Sequence, residues 1–106
     1  MQERTQEMEL YRRVCSGDES ALETLIEQHR PGLTLFVYSI VHNRGDAEEL
    51  VIDTFAELVA SCGRFCGQST LKTYVYGIAR NLALQQCRKT REIPMDLEQI
   101  VRLQPT

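Results

Sequence analysis

The sequence has 106 residues, which is enough for one ordinary domain. Apolar residues make up 42% and charged residues 25%, as in a typical globular protein, and no run of about 18 apolar residues suggests a membrane span. The polar, acidic N-terminus lacks the basic start and apolar stretch of a secretory signal, so we expect a cytoplasmic protein.

The net charge of −3 hides an uneven distribution along the chain. Residues 1–60 carry twelve acids and five bases, whereas residues 61–106 carry seven bases and three acids. Residues 61–91 contain six bases and no acid. Such a segment creates a local positive potential even on an acidic protein. The distribution predicts a binding protein that joins a basic partner to nucleic acid.

The first half of the chain predicts three successive helices. The first is expected over residues 3–15, and Asp18 is expected to cap the second. Pro31 and Gly32 should break or kink this second helix. A third helix should follow over residues 33–41, where the high apolar content predicts deep burial.

The next helix is expected over residues 47–61, capped by Asp46, and has two distinct faces. An apolar arc consists of Ala47, Val51, Phe55 and Leu58. The other face, which we call the acidic stripe, consists of Asp46, Glu49, Asp53 and Glu57. The stripe is either a solvated surface or a docking site. Like charges at i, i+4 repel and no lysine compensates them, which weighs against a merely solvated surface and leaves both interpretations open.

A glycine-containing loop at residues 62–69 should precede the last helix, expected over residues 71–91. Ser69 or Thr70 should cap this helix. Its expected core residues are Leu71, Val75, Ile78 and Leu82. No strand-period segment of useful length occurs. The predicted fold is therefore all-α, a compact bundle of about four to five helices.

The basic residues of the last helix also have two interpretations. Lys and Arg often end a helix because they complement its dipole, which accounts for Arg88 and Lys89. It does not account for Lys72 or the mid-helix Arg80. Cations beside aromatic and amide side chains suit a single nucleic-acid strand, whose phosphates are neutralised while its bases stack.

No catalytic motif is present. The sequence has neither a glycine-rich phosphate loop nor a serine nucleophile motif, and His29 and His42 are isolated. We therefore expect a protein that is not an enzyme and that needs no cofactor.

Four cysteines occur without a secretion signal, so we expect free thiols. They are Cys15, Cys62, Cys66 and Cys87. A redox or zinc switch through Cys62 and Cys66 is a further hypothesis, although a tetrahedral zinc site needs four ligands and both histidines lie far upstream.

Three segments, in order, resemble domain two (region 2) of bacterial sigma-70 family factors, closest to the extracytoplasmic-function group. They are SGDESALETL at 16–25, GDAEELVIDTF at 45–55 and STLKTYVYGIARN at 69–81. The resemblance places a helical region 2 domain at residues 1–91 and the start of an interdomain linker at 92–106. The family's helix-turn-helix domain, which reads the −35 element, is missing, so we expect a fragment of a longer factor.

The resemblance implies two partners. In the family, the helix matching residues 46–59 docks on the β′ clamp helices of core RNA polymerase. The loop and last helix recognise the −10 promoter element and stabilise its melted non-template strand, with one base held in a loop pocket. An anti-sigma factor is a further candidate partner.

The resemblance assigns residues to both roles. Polymerase binding falls on Asp46, Glu49, Leu50, Asp53 and Glu57. DNA binding falls on Arg64, Ser69, Lys72, Thr73, Tyr76, Arg80, Asn81, Arg88 and Lys89.

Three positions depart from the family pattern. Ile52 stands where a Gln is usual on the docking face, Tyr74 replaces a common Trp, and Gly77 replaces a common Arg. Ile52 and Gly77 favour an alternative hypothesis, in which the domain is a sigma-like protein-interaction module without promoter-opening activity.

Overall fold

The computed structural model describes residues 2–92, with side chains over 5–89, and contains four helices in this part of the chain. They are α1 (Gln2–Cys15), α2 (Glu19–Val41), α3 (Arg44–Ala60) and α4 (Leu71–Glu92). Helices α2, α3 and α4 pack against one another, and α1 lies mainly on α2. The all-α prediction is confirmed. Residues 93–106, where the linker is expected, lie outside the described residues.

A single apolar core joins the four helices. The apolar arc predicted on α3 is buried at all four positions. Leu25 and Leu33 of α2 and Leu58 of α3 have essentially no exposed surface. Burying a large aliphatic side chain contributes roughly 1.5–3 kcal/mol, so these contacts hold the helices together. Over residues 2–92, no helix has the length and apolar character needed to cross a membrane.

The residues that α4 buries differ in part from those expected. Leu71 and Val75 are buried as predicted, but Ala79 and Ala83 are buried beyond them. The larger side chains expected there, those of Ile78 and Leu82, are only partly buried. Alanine lets the backbone of α4 approach its neighbours closely, and the larger residues then flank the contact.

Helix α2 is continuous, which corrects the expected break at Pro31. Pro31 lies inside the helix and is exposed. A proline in a helix interior costs about 3 kcal/mol because it removes a hydrogen bond and crowds the preceding turn. Leu25 and Leu33 are fully buried on either side of it, and their packing offsets this cost.

Two of the three expected N-caps are confirmed. The Asp18 carboxylate accepts a hydrogen bond from the Ala21 N–H at 3.1 Å, and the Thr70 hydroxyl accepts one from the Thr73 N–H at 3.1 Å. The expected cap at Asp46 is wrong. The Asn43 side chain accepts from the Asp46 N–H at 2.8 Å, so α3 begins before Asp46. Asn and Asp cap equally well, and the upstream residue has the required extended backbone.

Cys15 and Cys62 form a disulfide between residues 47 apart in sequence. The expectation of four free thiols is therefore wrong for this pair, and Cys62 is not paired with Cys66. The disulfide forms because the fold brings the end of α1 beside the end of α3. Cys66 and Cys87 are free. The described residues contain no cluster of His, Cys, Asp and Glu that could hold a metal.

Candidate nucleic-acid and partner interfaces

The acidic stripe is solvent-accessible along most of α3. Glu49, Asp53 and Glu57 are exposed, and Asp46 is half-buried in the first turn. Within residues 5–89, none of these four carboxylates forms an ion pair; the nearby Arg44 pairs with Glu48 at 3.6 Å instead. The stripe therefore presents uncompensated negative charge to solvent.

Leu50 does not belong to this surface. Its side chain is only 7% exposed and lies in the core cluster. It precedes the core residue Val51, and its carbonyl accepts a hydrogen bond from the buried Thr54 hydroxyl at 2.8 Å. Leu50 therefore supports the helix from within the core, and its assignment to partner contact stays a prediction.

An apolar patch lies beside the stripe and spans α2 and α3. We define it as Leu35, Tyr38 and Ile52, which are 73%, 46% and 59% exposed. Two clefts that share Thr34 connect these residues, one lined by Ile52 and the other by Leu35 and Tyr38. Sequence reasoning identified only Ile52, because it expected residues 33–41 to be deeply buried. In fact α2 is one amphipathic helix whose outer side is apolar here.

The exposed side of α4 carries positive charge. We call it the basic face: Lys72, Thr73, Arg80, Asn81, Arg88 and Lys89 are all exposed. Arg64, in the preceding loop, is exposed as well. Over the residues whose side chains are described, no carboxylate pairs with any of these five cations. The charge is therefore available to a ligand.

Tyr76 links the basic face to the core. Its ring lies 5.1 Å from the ring of Phe36, and the Lys72 ammonium lies 5.5 Å from its centroid. Its hydroxyl approaches the backbone at Gly32 so closely that a Cβ there would overlap with it. Tyr76 is half-buried, so only part of its ring is available to a ligand.

The loop between α3 and α4 is anchored by aromatic contacts. Phe65 is buried between the rings of Tyr11 and Tyr74, at centroid distances of 5.4 and 4.9 Å. The Gly63 N–H donates to the Tyr11 hydroxyl at 2.9 Å. Ser69 is half-buried at the end of the loop, and its hydroxyl donates to the Thr70 carbonyl at 3.2 Å. Sequence reasoning missed these anchors because Tyr11 is remote in sequence.

A cleft of about 440 Å³ lies between the end of α3, the loop and α4. It is lined by Glu57, Ser61, Arg64, Tyr74, Ile78, Asn81, Leu82 and Gln85. Its volume falls in the range of roughly 300–1,000 Å³ seen for small-ligand sites. The fold thus brings Glu57, which had been assigned to the polymerase, together with Arg64 and Asn81 of the DNA-binding set.

The start of α4 contacts α1 through a carboxylate. Glu7 accepts a hydrogen bond from the Leu71 N–H at 3.2 Å, which satisfies one of the free donors of the helix end. His29 lies in the same cavity, of about 380 Å³. Burial lowers the pKa of the His29 imidazole, and the nearby Lys72 adds to this effect while Glu7 opposes it.

The helical fold agrees with a family match. The model of the sigma-70 region 2 family matches residues 25–93 of this chain. The chain belongs to this family, whose members are domains of bacterial transcription initiation factors.

The chain is also similar to a sigma factor of known sequence. The chain is 28% identical over 78 residues to the RNA polymerase sigma-H factor of Pseudomonas aeruginosa. The match covers 74% of this chain and 40% of that protein, so the chain spans about two fifths of the length of the curated relative. No solved structure matches the chain.

Proposed function

We propose that this domain docks on the β′ clamp helices of core RNA polymerase and recognises and melts the promoter −10 element. One observation carries the proposal: the segment from Arg64 to Lys89 presents five exposed cations that no acid pairs with in the described part of the chain. Charges without internal partners are available to neutralise phosphates. Domain two comprises residues 1–91 in this proposal, and a linker begins at 92.

The cleft beside the basic face supports the capture of an unpaired base. Tyr74 lines the cleft and packs against the Phe65 ring, and Arg64 and Asn81 supply hydrogen-bond donors. The Glu57 carboxylate can accept from a base amino group, although it would repel a phosphate. A base would therefore enter the cleft while its phosphates follow the basic face. Capture of this kind offsets the unstacking cost of a few kcal/mol, and no hydrolysis is required.

The DNA assignment is tested by binding to a fluorescent single-stranded −10 oligonucleotide. If about three to five phosphates are contacted, the log of affinity should fall with the log of salt concentration at a slope of roughly −2 to −3.5. The double variant Arg80→Ala, Arg88→Ala should bind more weakly and with a shallower slope.

A charge-matched control is Arg12→Ala, Arg44→Ala. Both residues are exposed on other helices and pair with nearby carboxylates. This control should bind like wild type. If both double variants weaken binding equally, the effect reflects net charge alone and the basic face is not the DNA site.

The acidic stripe and the apolar patch together support docking on the polymerase. They lie side by side on α2 and α3. A partner helix could therefore bury Ile52 and Leu35 while its Lys or Arg side chains pair with the Asp53 carboxylate. Buried apolar contacts contribute most of the affinity at such interfaces, and charges at the rim add specificity.

Capture of purified core polymerase tests this surface. Asp53→Arg and Leu35→Ser should each reduce the amount captured. Glu23→Arg makes the same charge change as Asp53→Arg at an exposed position on α2 outside the surface, and it should have no effect. Capture unchanged by both interface variants would exclude this surface.

A second function is favoured by Gly77, which leaves the centre of the basic face without a side chain. In this alternative the domain binds polymerase or an anti-sigma factor through the apolar patch but does not open promoters. Polymerase capture together with no oligonucleotide binding would select it over the first proposal.

A further inference from the structure

The Cys15–Cys62 disulfide joins the end of α1 to the start of the cleft-forming loop. Cys15 is the last residue of α1, and Cys62 lies two residues beyond α3. Cys15 is exposed and Cys62 is half-buried, so a small reductant can reach the bond. Accessible disulfides are the ones that exchange with thiols, whereas deeply buried ones resist reduction.

The same region of α1 holds the loop through weaker contacts. Tyr11 lies one helical turn before Cys15 and accepts the hydrogen bond from Gly63. It also packs edge-on against Phe65, which in turn packs against the tilted ring of Tyr74 at the cleft. The disulfide is thus the covalent member of a connected set that runs from α1 through the loop to the cleft. Breaking it leaves the loop held by noncovalent contacts, which include this hydrogen bond and the two ring contacts.

We propose that Cys15–Cys62 is a reversible thiol–disulfide site, modified by small dithiols and disulfides, whose oxidised form orders the loop for base capture. The effect on DNA rests on the proposed function. A loop already held in its binding conformation loses less entropy when it binds, so the oxidised form should have the higher affinity.

The exchange consists of two successive displacements. A thiolate of the dithiol attacks the sulfur of Cys15, the Cys15–Cys62 bond breaks, and Cys62 leaves as a thiolate that takes up a proton. The second thiol of the reductant then attacks the mixed disulfide and releases Cys15, which is protonated in turn. Two electrons pass to the protein, and the dithiol becomes a cyclic disulfide. Oxidation by glutathione disulfide takes two displacements of its own: one protein thiolate attacks glutathione disulfide and releases a first glutathione, and the other cysteine then attacks the mixed disulfide and releases the second.

The test uses a variant in which Cys66→Ser and Cys87→Ser leave only the proposed pair. The protein is oxidised with glutathione disulfide or reduced with dithiothreitol, and alkylation with mass spectrometry counts its thiols. We expect none in the first form and two in the second. The oxidised form should bind the single-stranded −10 oligonucleotide about three- to tenfold more tightly.

The matched control carries Cys15→Ser and Cys62→Ser in the same Cys66→Ser, Cys87→Ser background. Its affinity should not respond to either reagent. Equal affinities of the oxidised and reduced forms of the test variant, or tighter binding by the reduced form, would overturn the proposal. So would two free thiols after oxidation.

Hydrogen exchange separates this proposal from the DNA-binding function. The Gly63 amide, bonded to Tyr11 in the structure, should exchange at least several-fold faster after reduction. If neither form binds the oligonucleotide, the DNA-binding function has failed, and the exchange rates alone decide whether the disulfide orders the loop. Equal exchange rates in the two forms overturn the ordering as well.

Discussion

Gly77 occupies the centre of the basic face, between Thr73 and Asn81 on the same side of α4. A Cβ added there would meet nothing within 4 Å outside its own helical turn, so any side chain would extend into solvent. Glycine within a helix costs about 1 kcal/mol relative to alanine. This residue therefore weakens the helix and removes a possible phosphate contact at the same time.

Replacing Gly77 separates these two effects. Gly77→Ala should raise the unfolding free energy by up to about 1 kcal/mol in urea titrations without changing oligonucleotide affinity. Gly77→Arg should also increase affinity and steepen the salt slope by about 0.7, as expected for one further phosphate contact. If Gly77→Arg stabilises the helix but leaves the salt slope unchanged, DNA does not pass over this position.

His29 gives the stability of the protein a pH dependence. Burial lowers the pKa of its imidazole below the ordinary value of 6.5, so the unfolded chain takes up a proton before the folded protein does. The stability that comes from keeping the His29 imidazole neutral is fully present above pH 6.5, and it is lost as the pH falls towards the folded-state pKa. Between pH 7 and pH 5, wild type should lose more unfolding free energy than His29→Gln. Urea titrations at the two pH values measure this, and identical losses would contradict it.

At the scale of elements, α2 and α4 approach closely where Gly32 meets Tyr76. A Cβ at Gly32 would overlap with the Tyr76 hydroxyl oxygen, whereas the ring carbon that bears it is at an ordinary contact distance of 3.7 Å. The glycine expected to interrupt α2 thus serves a packing role within a continuous helix.

A double-mutant cycle tests this packing. Gly32→Ala alone should destabilise the protein by about 1–3 kcal/mol, because it overpacks the contact. With Tyr76→Phe the obstructing oxygen is absent, and the same substitution should be neutral or stabilising by up to about 1 kcal/mol. Thermal unfolding of the four proteins gives the coupling energy. Equal effects of Gly32→Ala in both backgrounds would show that the hydroxyl does not limit the approach.

At the scale of the whole molecule, the disulfide closes a segment of 47 residues that includes α2 and α3. Cross-links that close long segments restrict the unfolded chain most, and one of this length should contribute about 3–4 kcal/mol. Reduction with dithiothreitol should therefore lower the melting temperature by about 10 °C or more. Calorimetry with and without reductant measures this, and the Cys15→Ser, Cys62→Ser variant should already melt at the lower temperature.

The sequence alone was sufficient where structure depends on near neighbours. The caps at Asp18 and Thr70 and the apolar arc of α3 follow from residues three or four apart. The acidic stripe was found for the same reason, because helical spacing determines which side chains share a face. The family resemblance, which depends on local motifs in order, was confirmed as well.

Only the tertiary structure decided features that depend on distant segments. It buried Leu50 and exposed Leu35, although both are leucines within apolar stretches, because the packing of neighbouring helices determines which side is covered. It kept α2 continuous through Pro31 because the core holds both halves. It joined Cys15 to Cys62 and anchored the loop to α1, and sequence spacing cannot reveal such contacts between residues about fifty positions apart.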